Sequence, residues 1–210
     1  MDARTVVEAA FAVLDRQGLD GLSMRAVAQH LGVHVGGLYY HVRDKDALLR
    51  TMADDLAGRV DEPAVTGDPF HDAAAWCGAL RRTVTACRDG ARILAASPHL
   101  GSPGALSLME HLQARLAVAL PTVERAACAD TLLCYVAGFV AQEQRPLAPD
   151  LGGHTPALLA RFPLVAESVR DAGHSDDELF ASCVEAILRG FGLASSGAIA
   201  DTGVRGQLYG

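Results

Sequence analysis

Apolar residues recur along this chain at helical spacing, and no stretch needs the alternation of a strand. Val7, Phe11 and Leu14, with Val6, Ala10 and Val13 beside them, predict a helix over 5–16 with a broad buried face. Gly18 and Gly21 are expected to end it. Ser23 is a good N-cap for a second helix in which Val27 and Leu31 share a face. Gly32 can take the left-handed conformation that stops it, and another short helix is predicted over 35–42. Asp44 caps a fourth helix to residue 60, with Leu48, Leu49, Met52 and Leu56 facing inward.

Pro63, Gly67, Asp68 and Pro69 mark a linker over 62–69. Helices are then expected over 70–86, 92–97 and 105–120, the last with Leu108, Leu112 and Leu116 in line. The longest pattern, 122–143, is almost uncharged from 131 to 142, so it should be buried on more than one side. Loop residues fill 146–156, and helices return over 164–172 and, behind the cap Ser175, over 176–191. In the last helix Leu179, Val184, Ile187, Leu188 and Phe191 are more apolar side chains than one solvated helix needs, so some should face a partner. Residues 194–210 are expected to fray. The fold class is all-α, without repeats.

Composition narrows this further. The chain has 210 residues and no apolar run of membrane-spanning length, so no membrane association is expected. The N-terminus lacks the layout of a signal peptide and the five cysteines are scattered, which predicts a cytoplasmic protein with cysteines as small core residues. The net charge of −7 is uneven: residues 1–50 carry six basic and six acidic side chains, and the remainder carries all of the excess. His71, His99, His111 and His154 show no metal-binding spacing, and Cys134 lies in no nucleophile motif, so an enzyme is not expected.

Two short helices meeting at Gly32 have the spacing of a helix-turn-helix, whose second helix lies in the DNA major groove. Gly32-Val33, then Leu38-Tyr39, His41-Val42, Lys45 and Ala47-Leu48-Leu49 resemble the TetR family of transcriptional repressors. The resemblance implies a three-helix DNA-binding domain over 1–46 and a larger ligand-binding and dimerisation domain over 47–210, with the fourth helix touching both. It further implies a homodimer, paired through the helices from Thr122 and Asp176, on a palindromic double-stranded DNA operator. Arg25 matches an arginine that reads a guanine, and Tyr39, His41 and Lys45 match groups that hold phosphates. Tyr40 stands where a tryptophan is usual. At the head of the recognition helix Val35, Gly36 and Gly37 offer no hydrogen-bonding side chain, so His34 is the candidate substitute and Val35 a candidate reader of a thymine methyl.

The stretch Arg88-Asp89-Gly90-Ala91 resembles the tetracycline-binding branch of that family. The resemblance puts Leu94 where that branch has its metal-binding histidine, Gln142 where it has a glutamate, Trp76 for an asparagine and His111 for a glutamine. No metal and no cofactor are therefore expected. The pocket is expected to draw on Trp76, Leu80, Leu94, Ser97, Met109, His111, Phe139 and Gln142, a lining suited to a largely apolar small-molecule effector stacked on Trp76 or Phe139.

Overall fold

The computed structural model describes residues 1–96, 102–145, 158–171 and 175–195, and all regular structure among them is helical. Helix α1 (Ala3–Gly21) starts where the Asp2 carboxylate accepts the Thr5 amide at 2.8 Å. It does not stop at Gly18 as expected. It kinks there, and the Leu19 amide freed by the break donates to Asp89 at 2.8 Å. Ser23 caps α2 (Met24–Leu31) and Gly32 closes it at φ 68°. Helix α3 (Val35–Leu38) is one turn, shorter than predicted. Two glycines favour helix poorly, and of this segment Leu38 and Val42 are buried while Val35 packs at the edge of the core. Asp44 accepts the Ala47 amide at 2.7 Å to open α4 (Lys45–Ala57).

Beyond the linker, Asp68 caps α5 (Pro69–Ala86), which has proline in its first turn where no amide partner is lost. A short α6 (Gly90–Leu94) begins earlier than expected; α7 (Pro103–Leu116), α8 (Thr122–Glu143), α9 (Pro163–Asp171) and α10 (Asp176–Gly190) follow. A full capping box between Ser175 and Glu178 starts α10. Arg81 of α5 ties α8 and α10 together through Glu143 at 2.5 Å and Asp177 at 2.8 Å.

These helices enclose two cores. Val6, Val13, Leu14, Val27 and Leu38 make the first, and α4 completes it with Leu48, Met52 and Leu56. Trp76, Leu80, Leu112, Leu132, Val136 and Leu188 make the second, and α4 reaches it with Ala57. Leu49 is only half-buried. One glycine fixes how closely α4 meets α7. A Cβ on Gly104 would lie 2.6 Å from the Asp54 Cα, and its amide donates to Asp54 Oδ1 at 2.8 Å.

Two expectations change here. Leu188 is fully enclosed within its own chain, so it is a core residue and not a partner contact. Cys134 is exposed on α8, unlike buried Cys77 and Cys128. With Thr131, Gly138 and Ala141 it forms an uncharged outer face, so a single chain buries α8 on one side only.

The linker is closed by one buried carboxylate. Asp72 accepts from the Thr66 amide at 2.8 Å, the Thr66 hydroxyl at 2.7 Å and the Gly67 amide at 3.0 Å. Burial pushes its pKa up, but the Thr66 and Gly67 donors outweigh burial and hold it below the ordinary 3.8. The stabilisation is therefore full above the unfolded-state value and is lost as pH falls through the lower folded value. Asp72→Asn should lower stability by about 1–3 kcal/mol in thermal unfolding at neutral pH, because it strands buried donors. The difference from wild type should shrink only in acid.

Candidate nucleic-acid interface and ligand pocket

The helix-turn-helix presents its candidate residues outward. Arg25 on α2 and Lys45, the first residue of α4, are exposed. Tyr39 is 52% exposed and Tyr40 91% exposed, and His41 beside them is exposed too, so none of the three serves as core. Leu38 and Val42 anchor the segment from below. Arg43, which sequence reasoning passed over, adds a further cation here and pairs with Asp44 at 2.9 Å.

His34 has a structural task. Its Nδ1 accepts the Gly36 amide at 3.1 Å and so caps α3, leaving the other ring nitrogen for an outside partner. Val35, Gly36 and Gly37 are partly exposed at the head of the helix. Gly37 has no positive φ, and a Cβ there would meet nothing within 4 Å. Neither backbone conformation nor packing inside this chain requires glycine at that position.

The second candidate site is a cavity of about 160 Å³ lined by Ala57, Gly58, Val60, Glu62, Trp76, Ser107, Leu108 and His111. Of the eight sequence-predicted pocket residues, Trp76 and His111 meet in it. Trp76 is 1% exposed, and its indole nitrogen is buried without a hydrogen-bond partner. Beside it lies Arg115, 8% exposed, with its guanidinium 5.9 Å from the Trp76 ring centroid. Arg115 donates through Nη1 to the His111 carbonyl at 2.8 Å and through Nη2 to Glu62 at 3.3 Å, and its Nε has no partner. Glu62 also pairs with His111 Nδ1. Arg115 and Glu62 were missed because neither stands in a motif, and a buried arginine cannot be told from a solvated one by spacing.

The other predicted pocket residues lie elsewhere. Leu80 is a fully buried core residue, and Leu94 and Met109 are half-buried against the same core. Phe139 belongs to an aromatic cluster with Tyr135 and Phe180, with the Arg81 guanidinium 5.0 Å from its ring. Gln142 is exposed on α8, and Gln144 turns inward instead, donating to the Cys87 carbonyl at 2.7 Å. Ser97 lies outside the described residues. By the resemblance, a metal would meet a hydrocarbon at Leu94 and a neutral amide at Gln142, and the adjacent carboxylate of Glu143 is paired with Arg81. Desolvation, aided by Asp130, holds the Cys134 thiol above its usual value, the reverse of an activated nucleophile.

Comparison with known proteins covers both regions. Residues 6–52 match the family model for bacterial regulatory proteins of the tetR family, and residues 66–193 match that for the tetracyclin repressor-like C-terminal domain. An HTH-type transcriptional regulator of Saccharopolyspora erythraea is 35% identical over 170 residues, 77% of this chain and 72% of that protein. The Streptomyces coelicolor TetR family protein ActR, solved in complex with (S)-DNPA, superposes with a TM-score of 0.77 at 31% identity over 91% of this chain and 96% of its own. BioQ, solved with its double-stranded DNA operator, superposes with a TM-score of 0.63 at 30% identity over 79% of this chain and 99% of its own.

Gly37→Ala should raise the melting temperature, with a gain of up to about 1 kcal/mol from helix propensity, because the methyl group meets no atom of the chain. A loss of stability in thermal unfolding would show that the glycine serves the fold.

Proposed function

The chain belongs to the TetR family of bacterial regulatory proteins, and on that premise we propose how it works. It is a transcriptional repressor that holds a palindromic operator as a homodimer and releases it when a small organic molecule enters the cavity beside Trp76 and His111. One observation carries the reading. The wall of that cavity, Ala57 to Glu62, is the end of α4 and its continuation, and α4 is also part of the core that supports the recognition helix. Filling the cavity therefore acts on the element that sets the pose of the DNA-reading head. The complexes of ActR with (S)-DNPA and of BioQ with its operator support a ligand and a DNA partner for the same fold.

In this reading 1–46 is the DNA-binding domain and 47–210 the regulatory one. Arg25 reads a base, since the arginine fork can bond guanine O6 and N7 together. Tyr39, Tyr40, His41 and Lys45 hold the backbone, and Val35, Gly36 and Gly37 bring the helix close to the base edges. The outer faces of α8 and α10 pair with their copies. On α10 that face is Leu179, 50% exposed, followed by the small residues Ser182, Ala186 and Gly190. Effector binding needs no divalent metal, because neither Leu94 nor Gln142 can support one. No catalytic role is assigned. No helix among the described residues is long and apolar enough to cross a membrane.

Operator fragments selected from genomic DNA provide the test. Arg25→Ala should weaken binding by about 1–3 kcal/mol and relax preference at one base pair in each half-site. Lys45→Ala should weaken all sequences alike and reduce the salt slope by roughly one phosphate per subunit. Equal, sequence-independent losses in both variants would remove the base-reading role from Arg25. Leu179→Glu should leave the fold intact by circular dichroism and shift sedimentation toward the monomer, because it places a charge on the paired face. An unchanged dimer would place the interface elsewhere.

A further inference from the structure

Glu62 is bound the way a ligand would be. It is an exposed side chain just past the end of α4, yet its carboxylate reaches into the cavity to pair with His111 Nδ1 and with Arg115. Its hold on Arg115 is poor. The Nη2 to Oε2 distance is 3.3 Å, longer than the usual 2.7–2.9 Å of a charged N–H···O bond. The neighbouring Nε–H on the same edge of the guanidinium has no partner at all. A carboxylate can fill that edge with two parallel bonds, and here one of the two is vacant and the other stretched. Trp76 lines the cavity, and its indole N–H, itself buried, is a third donor without a partner. Each of these groups lacks an acceptor, and none lacks a donor. A buried guanidinium also needs negative charge beside it. Among the described residues Glu62 is the carboxylate within bonding distance of Arg115, and the buried Asp72 carboxylate lies close enough to feel its charge.

From this geometry we infer that the effector is a small aromatic carboxylic acid and that Glu62 is its internal stand-in. This rests on the repressor reading above and names the ligand class of that same cavity. The acid's carboxylate takes the Nε/Nη2 edge of Arg115 and the Trp76 N–H, and its ring lies among Val60, Leu108 and Trp76. Glu62 is displaced into solvent. The charge beside Arg115 is conserved by the exchange, so the pocket accepts an anion in place of Glu62 without leaving a buried charge unpaired. The exchange cuts the tie between the α4 continuation and α7, which carries His111 and Arg115. Effector binding and release of the DNA-reading head are then one event, a competition between two carboxylates for one arginine.

Calorimetric titration of the full-length dimer tests this with matched probes: benzoate and benzamide, 2-naphthoate and 2-naphthamide, anthraquinone-2-carboxylate and its carboxamide. At least one acid should bind at least tenfold more tightly than its amide. Glu62→Gln should tighten that acid at least fivefold and leave the amide unchanged, because the competing anion is gone. The same variant without any probe should bind operator more weakly than wild type. Arg115→Gln should erase the preference for the acid; should it fail to fold, Arg115→Lys keeps the charge, loses the fork and should reduce the preference. Acids binding no tighter than their amides, or an acid affinity untouched by Glu62→Gln, would overturn the inference. Operator release by a neutral probe with no role for Glu62 would do so too while leaving the repressor reading in place. A wild-type dimer that binds no operator would instead sink the repressor reading, with the carboxylate competition still open to the same titration.

Discussion

Everything in this molecule depends on α4 being shared. Its Leu48, Met52 and Leu56 are buried among the side chains that hold the helix-turn-helix, and its Ala57 is buried among those that hold the regulatory helices. Close packing makes that sharing strict. Gly104 brings the start of α7 against the α4 backbone at Asp54 so tightly that no side chain fits between them. Ile93 of α6 crosses the same divide by entering the first core, and Asp89 holds the Leu19 amide at the kink of α1. The DNA-reading head cannot change its pose while α4, α6 and α7 keep theirs. Packed interfaces of this kind switch between discrete arrangements and do not bend continuously.

The two sites at either end of α4 contrast in how they are finished. The head of the recognition helix is bare: one turn, two glycines and a histidine used as a cap. Such a surface gains little from its own chain, so its chemistry is complete only when a duplex lies against it. The cavity is the opposite case: beside its lining, the Trp76 indole N–H and the Arg115 Nε are buried without an acceptor. Both departures from local stability fall where a partner is needed, as expected when function overrides consistency between sequence and fold.

The helical class, the caps Ser23, Asp44 and Ser175, and the glycine turn at Gly32 were legible in the sequence, because each is a local rule acting within a few residues. The length of α3 was not, since the two glycines at its head weaken the helix and only Leu38 and Val42 of the segment are buried. For the pocket, the resemblance named Trp76 and His111, which both line it, and also Leu94, which packs against the core, and Gln142, which is exposed on α8. Arg115 and Glu62 come from α7 and the linker, far apart in sequence, and their pairing is a tertiary fact with no periodic signature. Leu188 shows the same limit in reverse, because apolar spacing on α10 cannot say whether the neighbour is the same chain or its copy.

The central claim is that the cavity and the DNA-reading head communicate through α4. Hydrogen exchange of the intact dimer, with and without a compound that releases operator, reads this directly, amide by amide. The account predicts altered protection in the segment from Gly58 to Thr66 and along α4 into the helix-turn-helix, in addition to the walls on α5 and α7. Changes confined to α5 and α7, with α4 and its continuation unaltered while the operator is released, would contradict it.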